Sequence, residues 1–232
     1  MFGFFFDPMY LLFAAPAMLL AMFAQWKVSS AYDKYTKVRN TKNLNGMEVA
    51  QYLLRANGLN LNVAGTPGNL TDHYDPRDKT LYLSQGVAQT PSVAALAIVA
   101  HEVGHAVQDS QGYMPMRLRA WLVAPANLGP WVGYILFAAG IMINISGLVW
   151  LGIAFFSAGL LFSLATLPVE LNASSRALVM LRSSALVGTG EVDAAKSVLT
   201  AAALTYVAAA AQALSTLLYY VFIALNMGRR RD

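Results

Sequence analysis

His101, Glu102 and His105 stand in the order His101-Glu102-Val103-Gly104-His105, inside an apolar run that begins at Val93 and continues through Ala106 and Val107. If that run is a helix, the two histidines lie four apart and project from one face. Their imidazoles can then share one divalent ion, and Glu102 between them can reach a water that the ion activates. The chemistry implied is zinc-dependent hydrolysis of a peptide bond. His101 and His105 would be metal ligands, and Glu102 the general base that takes a proton from water and passes it to the leaving amine. Gly104 would keep the helix surface low beside the metal. A bare pattern of this kind recurs by chance in many proteins, and its bland reading is a helix with two polar-facing histidines. Here the flanks are uncharged and two of only three histidines fall within it.

A third ligand has to come from elsewhere. The chain has no cysteine, so thiolate ligands and disulfides are both excluded. The long metzincin form needs a glycine three residues after the second histidine and a histidine six after it. Those positions hold Gln108 and Gln111, which excludes that class. The remaining histidine, His73, lies upstream in a turn-rich segment. A downstream glutamate is the other standard solution. No charged side chain occurs between Arg119 and Glu170, so Glu170 is the first carboxylate available after Asp109. Glu170 is the expected third ligand, against the simpler reading of a glutamate that caps a membrane span. His73, Tyr74 and Arg176 are then candidates for outer-shell or oxyanion roles.

The elements that must position these residues belong to an unusual composition. The 232 residues are 57% hydrophobic and only 12% charged, with a mean hydropathy of +0.48. Soluble domains carry about a quarter charged residues, so the deficit points to a membrane. The net charge of +4 is modest and sits at segment flanks. That suits phospholipid headgroups better than nucleic acid, which needs a clustered basic stripe.

Five segments follow in order. Residues 1–26 read as a retained transmembrane helix, because no basic n-region precedes Lys27 and the apolar stretch has the length of a span. Pro16 lies inside it, and Trp26 and Lys27 mark its interface. Residues 27–119 hold most of the charge and all three histidines, enough for a small α+β catalytic domain. Within it, residues 46–58 have helical periodicity and stop at Asn57-Gly58. Residues 59–63, 70–73 and 80–84 are strand candidates, the last expected as an edge strand to which extended substrate adds. Thr90-Pro91 reads as N-cap and first turn of the motif helix. Residues 120–169 would make a single helix about 75 Å long, far more than the roughly 30 Å of one span. They read as a transmembrane hairpin turning at Asn144-Ile145-Ser146-Gly147, with Pro125 and Pro130 making the first span irregular. A hairpin returns Glu170 to the side of His101 and His105. Residues 170–196 form the segment carrying the third ligand, broken at Gly188-Thr189-Gly190. Residues 197–232 make a further apolar helix, alanine-rich at first, and a basic tail. The fold class is therefore mainly α: an integral membrane protein with about four transmembrane helices and a small zincin-like domain.

The chain also resembles a known family, the YugP-type or neutral zinc metallopeptidase membrane proteins of bacteria. The resemblance rests on Asp72-His73-Tyr74-Asp75-Pro76, Leu81-Tyr82-Leu83-Ser84, the stretch from Ala100 to Gln108, and Leu167-Pro168-Val169-Glu170 with Asn172-Ala173-Ser174. It extends to residues 201–206 and the arginine-rich tail, so it covers nearly the whole chain. It implies a multi-pass zinc peptidase of the bacterial cell (inner) membrane, a membrane gluzincin binding one Zn²⁺ per chain. In such relatives a glutamate on a later helix completes the metal site, and Glu170 is the matching position. Their outer-shell aspartate, three or four residues beyond it, has no match: those positions hold Ala173 and Ser174, and Asn172 is the nearest substitute.

The expected partners are a protein or peptide substrate and the lipid bilayer, with no nucleic acid. Lys27, Lys34, Lys37, Arg39 and Lys42 follow the first span, and Arg117 and Arg119 precede the second. The positive-inside bias places that domain, and the site, in the cytoplasm. The Arg229-Arg230-Arg231 tail opposes this and is outweighed. Two other readings remain. One is an intramembrane protease, although residues 93–100 are too short to span before His101 and no later Asp-Gly ligand motif occurs. The other is a non-catalytic membrane scaffold that retains zinc for structure.

Overall fold

Residues 8–229, Ala185 and Thr189 excepted, are described by a computed structural model. The phenylalanine-rich start, the basic tail beyond Arg229, and Thr189 of the Gly188–Gly190 break lie outside the described residues. Among the described residues ten elements occur in order: α1 (Pro8–Thr36), α2 (Gly46–Ala56), β1 (Asn62–Thr66), β2 (His73–Asp75), β3 (Thr80–Ser84), α3 (Gln85–Gln89), α4 (Val93–Ser110), α5 (Met114–Met142), α6 (Ser146–Ser183) and α7 (Glu191–Arg229). The chain divides into two compact units. One contains the chain up to Phe23, Arg117–Leu167, and everything from Tyr206; the other contains Ala24–Met116 and Pro168–Thr205. The long helices α1, α6 and α7 each contribute a part to both.

Among its described residues, the first unit is helical apart from the turn at residues 143–145. Among the described residues, α1, α5, α6 and α7 are each long and apolar enough to cross a membrane. The protein is thus a mainly α membrane protein with a small sheet, as its composition indicates. The uncharged run after Arg119 lies in two helices, α5 and α6, joined by a short turn at residues 143–145. A Cβ on Gly129 would meet the Phe155 carbonyl at 2.7 Å, and one on Gly133 the Gly152 carbonyl at 2.8 Å. A Cβ on Gly140 would meet the Val149 amide at 2.7 Å, so the contacts run antiparallel. Small residues of this kind let helix backbones approach where no hydrophobic force drives them together. The turn passes through Asn144 at φ +56, a conformation asparagine tolerates better than most residues. Pro125 and Pro130 lie inside α5 without ending it. Around the hairpin's closed end, Phe137, Val149, Ile153 and Ala224 are buried, and the Tyr220 ring lies 4.6 Å from Phe137 and 4.4 Å from Phe156. Outward, Leu12, Leu19, Leu128, Trp121 and Trp131 are strongly exposed, as suits side chains solvated by lipid.

The second unit is a soluble-type α+β core. α2 starts with a capping box: the Asn45 side chain accepts from the Glu48 amide at 3.0 Å, and Glu48 Oε2 accepts from the Asn45 amide at 2.8 Å. Its apolar face, Val49, Ala50, Leu53 and Leu54, is buried against α4 and the sheet. α4 is apolar nearly all round, from Val93 to Val107, which is the pattern of a helix enclosed by its neighbours. Leu81 and Leu83 of β3, Ala177 and Leu181 of α6, and Ala195 and Leu199 of α7 complete this core.

Three local expectations are corrected. The strand order is β1-β3-β2, with β1 parallel and β2 antiparallel to β3, so Thr80–Ser84 is the central strand and cannot accept a substrate strand at an edge. The outer strands begin later than their patterns suggest. The Leu59 amide still donates to the Leu54 carbonyl at 2.9 Å to close α2. Leu70 sits at φ +55, outside strand geometry. The cap of α4 is Ser92, whose side chain accepts from the Ala95 amide at 3.1 Å. Thr90 and Pro91 precede it in extended chain, pinned by an Arg39–Ser92 bridge and by the Asn40 amide donating to the Pro91 carbonyl at 3.1 Å.

α4 and α6 approach each other closely at a glycine. A Cβ on Gly104 would lie 2.8 Å from the Ala173 carbonyl oxygen, so the two helices meet backbone to backbone. In an open helix Gly→Ala stabilises by about 1 kcal/mol; at this crossing the overpacking cost of about 1–3 kcal/mol reverses the sign. Gly104→Ala is expected to lower the thermal midpoint of the detergent-solubilised protein. Gly147→Ala, where a Cβ meets nothing within 4 Å, is expected to be neutral or stabilising.

Candidate metal centre

α4 presents His101 and His105 one turn apart, their rings edge to face at 4.7 Å between centroids. Across the Gly104–Ala173 contact, α6 brings Glu170, 2% exposed, to the same point. Glu170 Oε2 lies 3.1 Å from His101 Nε2 and 3.4 Å from His105 Nε2. Donor atoms of the three residues all fall within 4.8 Å of one another. Ligands held tetrahedrally at about 2.0–2.1 Å from a zinc ion are about 3.3 Å apart, so the observed separations fit a shared ion. Two imidazoles and one carboxylate also match the donor types that zinc takes in open, three-ligand sites.

Glu102 lies beside this cluster. Its carboxylate is buried, and its Oε2 accepts from the Tyr74 backbone amide at 3.1 Å. Burial raises the Glu102 pKa above the ordinary carboxylate value; the neighbouring His101 and His105 pull it the other way without cancelling the effect. A carboxylate held this way takes up a proton more readily than a solvated one. For His105, burial opposes the charged form, yet the hydrogen bond to Glu170 and the Glu102 charge carry its net shift upward.

A second layer of contacts holds these groups. The Ser174 hydroxyl is 3.2 Å from His101 Nδ1. Gln108, fully buried, has Oε1 3.0 Å from His105 Nδ1, and its Nε2 donates to the Val169 carbonyl at 2.8 Å and to Asn172 Oδ1 at 3.0 Å. Arg176 donates from Nε to Asn172 Oδ1 at 2.7 Å and from a terminal nitrogen to Gln111 Oε1 at 2.7 Å. Its guanidinium also lies over the Tyr113 ring. Further along α4, Asp109 accepts from the Tyr74 hydroxyl at 2.7 Å and from Lys79, which fastens β2 over Glu102. Burial and then the Asp109 hydrogen bond raise the Tyr74 pKa above the usual phenol range.

Of the residues singled out by sequence, His101, Glu102, His105 and Glu170 come together. Asn172 and Arg176 lie one layer out. Tyr74 contributes its backbone amide, while its hydroxyl is committed to Asp109. His73 is exposed and elsewhere: Nδ1 is 2.8 Å from the Thr71 carbonyl and the ring stacks on Tyr82 at 4.8 Å. It points to the opposite side of β2 from Tyr74, as strand alternation requires. Gln108, Ser174 and Asp109 were not singled out. Helical spacing carried a signal for all three, since Gln108 and Asp109 are three and four residues from His105 and Ser174 is four from Glu170.

Comparison with known proteins bears on this cluster. A family described as "Putative neutral zinc metallopeptidase" matches residues 10–225. The chain belongs to this family. It is also 40% identical over 211 residues to a protein of Bacillus subtilis (strain 168) named "Putative membrane protease YugP", covering 90% of this chain and 94% of that one. No solved structure matches. In a zinc-metallopeptidase family member, the cluster of half-buried His101 with buried His105 and Glu170 is a group that could hold the metal, and the four apolar helices agree with a membrane location.

The Asp109 clamp makes a separable prediction. Asp109→Ala removes the acceptor of both Tyr74 and Lys79, a loss of about 1–3 kcal/mol locally. Amide exchange at residues 73–75 is expected to accelerate at least about fivefold by mass spectrometry, while zinc content stays unchanged.

Proposed function

We propose that the protein is a membrane-anchored zinc metalloendopeptidase of the gluzincin type. It binds one Zn²⁺ per chain through His101, His105 and Glu170 and hydrolyses peptide bonds in membrane-associated or misfolded proteins. The observation that carries this reading is the convergence of Glu170 Oε2 on both Nε2 atoms, 3.1 and 3.4 Å away, beside a buried Glu102. Bound there, zinc supplies Lewis acidity that polarises a peptide carbonyl and makes water acidic at neutral pH. Glu102 takes the proton from the attacking water and delivers it to the leaving amine nitrogen. Its burial raises its proton affinity, which supports uptake of the proton from water. The Tyr74 amide keeps the carboxylate aimed while it is charged.

The lysine and arginine residues in the C-terminal third of α1, just after it and in the first turns of α5 support a cytoplasmic site, in a cell membrane of bacterial type. The intramembrane alternative is weakened by the setting of α4, whose neighbours are α2, the sheet and the polar end of α6. The zinc-retaining scaffold shares the same ligands and differs in Glu102.

Glu102→Gln separates them. The variant is expected to keep its zinc, measured by elemental analysis after gel filtration, and to lose at least about a hundredfold in cleavage of an unfolded casein substrate. Chelation is expected to abolish parental activity and added zinc to restore it. Undiminished cleavage by Glu102→Gln would overturn the general-base role, and a parental protein that binds zinc yet never cleaves would favour the scaffold.

A further inference from the structure

The contacts behind His105 have a direction. Arg176 can only donate hydrogen bonds and a main-chain carbonyl can only accept them. Because Arg176 Nε donates at 2.7 Å, the Asn172 atom it meets is the amide oxygen. That oxygen also faces the Gln108 side chain at 3.0 Å, so the Gln108 atom there is its NH₂ group. The Val169 carbonyl, 2.8 Å from the same nitrogen, requires the same orientation independently. The other end of the Gln108 amide, facing His105 Nδ1 at 3.0 Å, is consequently a carbonyl oxygen. An acceptor there requires Nδ1 to carry hydrogen, which in the neutral ring leaves the lone pair on Nε2, the atom that faces Glu170.

We propose that Arg176, Asn172 and Gln108 form a polarised hydrogen-bond relay that fixes the Nδ1–H tautomer of His105 and so presents its Nε2 to the metal. The relay rests on the peptidase reading and deepens it. It is made of uncharged amides anchored by one arginine, at a position where metal-ligating histidines commonly donate to a carboxylate or main-chain carbonyl. His101 is held differently. Its partner at Nδ1, the Ser174 hydroxyl, can donate or accept and imposes no direction. The relay also fastens α4 to the turn of α6 that carries Glu170, since Val169 immediately precedes that residue. Gln108, Asn172 and Arg176 are therefore positioning residues for His105.

The test uses the full-length protein in detergent and compares zinc affinity by competition with a chelating dye. Asn172→Asp keeps an acceptor for both Arg176 and Gln108 and is expected to bind zinc at least as tightly as the parent. Asn172→Leu and the near-isosteric Gln108→Met break the relay and are expected to bind 10- to 100-fold more weakly. With only three histidines in the chain, ring ¹⁵N spectra of the zinc-loaded protein can assign the ligating nitrogen. His105 is expected to bind through Nε2 in the parent and in Asn172→Asp, with a mixed or altered signal in Gln108→Met. Zinc affinity of Gln108→Met within about threefold of the parent would overturn the relay. If that variant does not fold, Asn172→Asp binding as weakly as Asn172→Leu would overturn it instead. A parental protein that binds no zinc would refute the peptidase reading itself, a different outcome from either.

Discussion

The backbone contact between Gly104 and Ala173 is the constraint on which the candidate centre depends. Two of its candidate ligands sit on α4 and the third on α6, distant in sequence, and the distances from Glu170 to the histidines are set by how closely those helices cross. A side chain at position 104 would hold the helices apart by more than the tolerance of a coordination sphere. Glycine in the middle of a helix costs about 1 kcal/mol. At this position that cost is tolerated because the crossing satisfies three otherwise expensive buried groups, Glu170, His105 and Gln108, with one another.

Burying a carboxylate between two imidazoles is costly without compensation. Here compensation comes in layers. Glu170 is shared between both Nε2 atoms, the histidines are held from behind by Ser174 and Gln108, and Gln108 is held in turn by Asn172 and the Val169 carbonyl. Glu102 is compensated by a main-chain amide of β2, which is why the sheet matters to the site even though no strand residue belongs to the cluster. Asp109 then ties the side chain of the same strand residue back to α4. The small sheet works as a clamp on Glu102.

Much of this was readable in the residues. The uncharged run after Arg119 left Glu170 as the first carboxylate, and its length demanded a hairpin, so the third element of the centre followed from charge bookkeeping and bilayer thickness. What was not readable depended on contacts distant in sequence. Thr80–Ser84 has a strand's composition, but alternation reports which face is buried and says nothing about how many neighbours the strand has, so its central place escaped. Thr90-Pro91 has the chemistry of a helix start, yet a bridge from Arg39 keeps that segment extended and passes the cap to Ser92. Gln108 was weighed only for the metzincin class it excludes. Its role comes from α6, whose side chains meet it only after folding. His73 was drawn in by rarity; being a histidine next to a site residue counts for little when strand geometry sends it to the other face.

The central claim is one metal bound by two imidazole nitrogens and one carboxylate oxygen. X-ray absorption on the zinc-loaded protein addresses it directly. The account predicts one zinc per chain with only nitrogen and oxygen neighbours at about 2.0–2.2 Å, two of them imidazoles, and loss of that site in Glu170→Ala. A zinc environment with a single imidazole, or one unchanged by Glu170→Ala, would contradict it.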